Sequence, residues 1–120
     1  MWWGITLEAP DPQALASFYS QLLDWPVIDE GPACAVLRPP QPGVFLVIQR
    51  ADDYVPPVWP TVTGSQRPMM HMDVQVDHLK AAVADAVGLG ATVASHQPRE
   101  HVRVLLDPAG HPFCLCLDQE

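Results

Sequence analysis

The sequence predicts an α+β fold of two paired βαβββ modules within one domain covering residues 1–120. Three observations carry this reading. The chain has 120 residues, 48% hydrophobic and 17% charged, the size and balance of a single globular domain. A run of strand, helix and three short strands occurs twice in its apolar periodicity. The two runs superpose at a nearly constant offset: 66 residues from Asp11 to Asp77, Asp24 to Gly90 and Val27 to Val93, and 67 in the opening strands, from Gly4 to His71 and Leu7 to Val74. Pro10 is the one unmatched residue. A repeat of this kind packs as a pseudo-two-fold pair of sheets.

Residues 3–9 alternate, with Ile5, Leu7 and Ala9 on one face and Gly4, Thr6 and Glu8 on the other, as a half-buried strand does. Asp11-Pro12 is an N-cap with proline in the first helical position. Leu15, Phe18, Tyr19 and Leu22 form the helical stripe that follows, and Asp24-Trp25-Pro26 ends it. Strands are expected around Val27-Ile28, from Ala33 to Leu37 and from Val44 to Gln49, with turns at Gly31-Pro32 and across the run 39–43. Module one is therefore about residues 1–50. The Pro-rich, aperiodic stretch of about 51–68 reads as a linker or long surface loop.

Module two, about 69–120, repeats the order. Met70, Met72, Val74 and Val76 alternate with His71, Asp73 and Gln75. Asp77 is expected to cap a helix with the stripe Leu79, Ala82, Val83 and Ala86, which Gly88 and Gly90 end. Strands are expected from Ala91 to Ser95, His101 to Leu106 and Pro112 to Leu117, with Asp107-Pro108-Ala109-Gly110 as the last turn.

Six Lys and Arg against 14 Asp and Glu leave a net charge of −8. Such a chain repels the phosphates of nucleic acid and of an anionic membrane, so neither is an expected partner. No stretch approaches 18 apolar residues, and the start, Met1-Trp2-Trp3-Gly4, lacks the positive charge of a signal peptide. Three cysteines, Cys34, Cys114 and Cys116, make neither a disulfide framework nor a zinc knuckle, and a cytoplasmic location fits them.

Asp11-Pro12-Gln13-Ala14-Leu15-Ala16-Ser17-Phe18-Tyr19, with Leu22-Leu23-Asp24-Trp25 after it, resembles the Asp-Pro, Leu-Ala, Phe-Tyr, Leu-Gly-Trp signature of glyoxalase-like proteins. These belong to the vicinal oxygen chelate superfamily, with bleomycin-resistance proteins and extradiol dioxygenases. Met70-His71-Met72-Asp73-Val74 and Asp107-Pro108-Ala109-Gly110-His111-Pro112-Phe113-Cys114-Leu115 resemble its second-module strand and its closing turn and strand. The resemblance implies paired modules whose sheets curl around a cavity, commonly in a homodimer.

Metal-using relatives carry a ligand on the first, fourth, fifth and eighth strands. The resemblance places Gly4, Gln49, His71 and Cys114 there. Glycine offers no ligand atom, and a thiol stands where a carboxylate is expected. Hard cations want oxygen, so no metal cofactor is expected, a divalent ion being the alternative.

By strand parity Glu8, Gln49, His71, Asp73 and Cys114 are the expected ligand-binding residues, converging on one concave space. His71 and Asp73, two apart, read either as base and orienter or as a solvated pair at a sheet edge. Cys114 and Cys116 read as small core residues or as a reactive pair. Trp2, Trp3, Trp25, Trp59 and Tyr54 are stacking or interface aromatics. No catalytic residue is assigned. The function expected is a small-molecule binding protein, drug-sequestering in its sharpest form. A lyase, isomerase or dioxygenase of the same superfamily is the alternative. With Glu8 and Asp73 at the pocket a cationic aromatic ligand is favoured, unless Arg103 points inward and favours an anion.

Overall fold

A computed structural model describes residues 1–117. The chain forms two compact units, 1–55 and 56–120, and the boundary falls inside the stretch read as a linker. Each unit is one module. The first holds β1 (Trp3–Ala9), α1 (Pro12–Leu23), β2 (Val27–Glu30), β3 (Cys34–Leu37) and β4 (Val44–Arg50). The second holds β5 (Met72–Gln75), α2 (Leu79–Leu89), β6 (Thr92–Val93), β7 (Val102–Leu106) and β8 (Pro112–Cys116). Both sheets have the same topology, β1-β4-β3-β2 and β5-β8-β7-β6, so the α+β βαβββ repeat expected from the sequence is present. In each, the first strand runs parallel to the fourth and the remaining pairs are antiparallel.

In the first unit α1 lies across β3 and β4. Leu15, Phe18 and Tyr19 are its buried stripe, and Ala35, Leu37, Leu46 and Ile48 are the sheet face beneath. The Asp11 carboxylate accepts from Ala14 N at 3.1 Å, the N-cap bond that proline at the next position pre-organises. The helix stops at Asp24, held left-handed at φ 57°. That conformation explains why the family signature has glycine at this position, and why a short polar side chain is tolerated there. Ser20 Oγ then donates to Trp25 O at 2.6 Å and seals the helix end.

The second unit departs from expectation in three places. Asp77 does not cap α2. Val76 N bonds Cys116 O at 2.8 Å at the position where Ala9 is paired in the first unit, and two residues on in both units comes the cap, here His78 without a side-chain bond. Gly88 lies inside the helix, and Gly90 alone ends it, at φ 120°. The third departure is β6, which is only two residues long because a side chain replaces its continuation. The Gln97 amide donates to Ala94 O (2.8 Å) and Val104 O (2.9 Å) and accepts from Val104 N (2.8 Å). It satisfies the edge of β7 as a strand would. The backbone from His96 to Glu100 is thereby free to leave the sheet.

Candidate functional site

The second unit forms a cavity of about 570 Å³ that is open to solvent on one side, within the size range of small-molecule sites. Period-two alternation builds its floor. Val102 and Val104 on β7 and Cys114 and Cys116 on β8 face it, while Leu105, Phe113 and Leu115, of the opposite parity, are fully buried. Trp59, from the segment before β5, packs against Ala94, Val102, Val104 and Cys114. Pro68, Pro98, Pro112 and Leu117 complete the apolar wall. The indole Nε1–H of Trp59 is buried and has no acceptor among the described residues.

Polar groups enter from three directions. Parallel pairing of β5 with β8 sets Asp73 opposite Cys114. His71, just before β5, brings Nε2 to 3.2 Å from Asp73 Oδ1. Arg99 reaches the cavity from the segment that Gln97 pulls out of the sheet. Arg103, the inward candidate from the sequence, turns elsewhere. Its guanidinium donates to the carbonyls of Arg99 (3.2 Å), Glu100 (2.9 Å) and Val102 (2.9 Å) and so braces the segment carrying Arg99. The signal that could have found Arg99 is the Gln-Pro-Arg run itself, with a side-chain amide able to hold it against the neighbouring strand.

His71, Asp73 and Cys114 therefore meet at one place. Glu8 and Gln49 belong to the first unit, where they are exposed register partners on β1 and β4. The register also identifies the first-unit counterpart of Cys114. Asp73 pairs with Cys114 as Thr6 pairs with Val47, at the same 67-residue offset, so Val47 is the counterpart of Cys114 and Gln49 that of Cys116.

Burial pushes the Cys114 thiol up from the ordinary 9.0 to about 11, and the Asp73 carboxylate adds to this by its charge and by accepting the S–H, while Arg99 opposes it. The thiol is thus a protonated donor at neutral pH. Iodoacetamide should alkylate Cys114 on the order of a hundredfold more slowly than an ordinary thiol at pH 8, since only the thiolate reacts. The rate should climb until pH passes about 11. Peptide mapping of alkylation against pH checks this, and a plateau near pH 9 would contradict it. The folded-state value lies above the unfolded one, so the native chain holds this proton longer. Its contribution to stability is present below about pH 9 and lost as pH rises toward 11.

The donor atoms of His71, Asp73 and Cys114 all lie within 4.8 Å of one another. One imidazole nitrogen, one carboxylate oxygen and one sulfur suit a borderline-soft ion such as Zn²⁺, with three protein ligands and an open position. They suit octahedral Mg²⁺ or Mn²⁺ poorly. An ion would have to displace the Cys114 proton to bind.

Among the described residues no helix is long and apolar enough to cross a membrane. The family model described as a Glyoxalase-like domain matches residues 4–116. No curated protein matches the chain. Solved structures do. A glyoxalase/bleomycin resistance protein/dioxygenase family enzyme from Burkholderia phytofirmans PsJN is 18% identical, with 94% of each chain covered and a TM-score of 0.70. A glyoxalase-related enzyme from Fulvimarina pelagi is 20% identical, covering 98% of this chain and 88% of that one, with a TM-score of 0.67. The fosfomycin resistance protein FosX from Listeria monocytogenes is 16% identical, covering 97% and 91%, with a TM-score of 0.70. A mutant of it was crystallised with Mn(II) and 1S,2S-dihydroxypropylphosphonic acid. At these identities the likeness is one of fold.

Proposed function

Because the chain belongs to the glyoxalase-like domain family, we propose that it is a small-molecule binding protein whose ligand occupies the cavity of the second unit. One observation carries the reading: an apolar, Trp-lined space of about 570 Å³ with a few polar groups, His71, Asp73, Arg99 and Cys114, gathered at it. In its sharpest form the function is sequestration of a drug, as in the bleomycin-resistance proteins of the superfamily. In this reading Glu8 and Gln49 are ligand-binding residues on the first unit's own sheet, the chain works as a homodimer, and its three free thiols suit a reducing cytoplasm.

A thermal-shift screen with aromatic, cationic, anionic and dicarbonyl compounds tests it. A ligand that binds only the native state raises the melting temperature, by an amount that grows with its concentration. At least one class should do so, and Val104→Trp, which fills the cavity, should abolish the shift. A screen in which nothing shifts the transition would remove the binding reading.

The close approach of His71, Asp73 and Cys114 favours a second reading, an enzyme of the lyase, isomerase or dioxygenase type holding a borderline-soft dication on those three residues. Such an ion supplies Lewis acidity toward a carbonyl or a bound water. In this chain His71 would contribute Nε2, Asp73 a carboxylate oxygen and Cys114 its sulfur, while Trp59 and the prolines hold the substrate body. Titration with Co²⁺ separates the readings. A thiolate-to-cobalt absorption band at one equivalent, lost in Cys114→Ser, supports the metal enzyme, and its absence supports the metal-free binder.

A further inference from the structure

Net charge points to cationic ligands, but the cavity is not charged like the whole chain. Six Lys and Arg residues serve 120 positions, and five of them lie outside the cavity lining. Arg50 is paired with Asp52 at 2.8 Å, and Arg103 is spent on three carbonyls. Arg99 lines the cavity, and among the described residues no carboxylate pairs with its guanidinium. Its charge nonetheless reaches the floor, where it acts on the Cys114 thiol. The opposing charge, Asp73, is already engaged, by His71 at 3.2 Å and by the Cys114 S–H. The group left to pair with a ligand is the cation.

Resting on the binding reading above, we propose that this cavity selects small organic anions with a flat apolar body, and that Arg99 is the residue that selects them. A carboxylate or another oxyanion matches the planar fork of a guanidinium with two parallel N–H···O bonds. Trp59 provides the face for the flat body. An oxyanion also offers the acceptor that the Trp59 indole N–H lacks, reached by a rotation of a side chain in a segment without helix or strand. The backbone that carries Arg99 is held in place before any ligand arrives. Gln97 anchors the segment on its N-terminal side with three bonds to Ala94 and Val104, and Arg103 anchors it from the C-terminal side with two, to the carbonyls of Arg99 and Glu100. What a ligand must still order is the Arg99 side chain, not the segment that carries it.

Three probes of one shape and different charge test this: indolepropanoate, tryptophol and tryptamine, titrated into the protein at about pH 8, where the first is anionic and the last cationic. Affinities are read from amide chemical shifts at low salt. Indolepropanoate should bind about tenfold more tightly than tryptophol, with tryptamine weakest, and the gap should narrow as salt rises. Arg99→Gln should bring indolepropanoate down to the tryptophol value and leave tryptophol unchanged. Arg99→Lys, which keeps the charge and loses the fork, should retain part of the preference. Asp73→Asn should tighten indolepropanoate. Equal binding of indolepropanoate and tryptophol, or tryptamine tightest, overturns the anion proposal while the binding reading stands. A preference for the anion that survives Arg99→Gln overturns the role of Arg99. If no probe of any charge binds, the binding reading falls and the proposal with it.

Discussion

Asp107→Ala should cost about 3 kcal/mol of stability, the largest loss expected from any single polar side chain described here. The carboxyl side chain is fully buried in the β7–β8 turn. Its Oδ1 accepts from Ala109 N at 2.9 Å and His111 N at 3.0 Å, and its Oδ2 lies 2.8 Å from His111 Nδ1. Truncation strands two backbone donors and one ring nitrogen where water has little access. Asp107→Asn keeps an acceptor for the backbone donors and should lose clearly less. Because this turn delivers Pro112 and Cys114 to the cavity, the alanine variant should also alkylate faster at Cys114. Chemical denaturation measures the first effect. A midpoint indistinguishable from wild type would show that the turn is held by its backbone bonds alone.

Gly4→His, which restores the family's first-strand ligand, should destabilise by about 1–3 kcal/mol and gain no metal affinity. A Cβ at residue 4 would lie 2.7 Å from Phe45 O and 3.2 Å from both Phe45 Cβ and Trp2 Cζ3. The rings of Trp2 and Phe45 lie against each other here, tilted by 48° with centroids 5.3 Å apart, and occupy the space a ligand side chain needs. Gly4→Ala should show most of the same loss, because the clash belongs to Cβ. A histidine variant as stable as wild type that binds one equivalent of Zn²⁺ would show that β1 can move aside at little cost.

Much of the architecture was legible because it depends on neighbours in the chain. Asp11, Pro12 and the stripe through Tyr19 specify α1 by local hydrogen bonding and 3.6-residue periodicity, and the structure places its N-cap at Asp11. Period-two alternation placed His71 and Asp73 on one face, and that parity turns toward the cavity. The repeat announced that both sheets would share one strand order. The cap of α2 falls at His78 rather than Asp77 because the 67-residue offset of the opening strands continues to the helix start, which makes Asp11 and His78 counterparts. The residue missing from the second module lies within the helix, 11 residues long against 12, and not at Pro10.

The sequence by itself therefore determined the two βαβββ modules, the strand parities and the candidates His71, Asp73 and Cys114, since each follows from interactions a few residues long. Only the tertiary structure decided which of these residues meet and which charge accompanies them. Asp73 and Cys114 come together through a parallel strand pairing that spans most of the second unit. The choice of Arg99 over Arg103 rests on where a glutamine amide and a guanidinium find backbone partners. Alternation along a strand says nothing about a segment that has left the sheet. Its course is set by the need of every buried N–H and C=O to find a partner, and that is satisfied across space rather than along the chain.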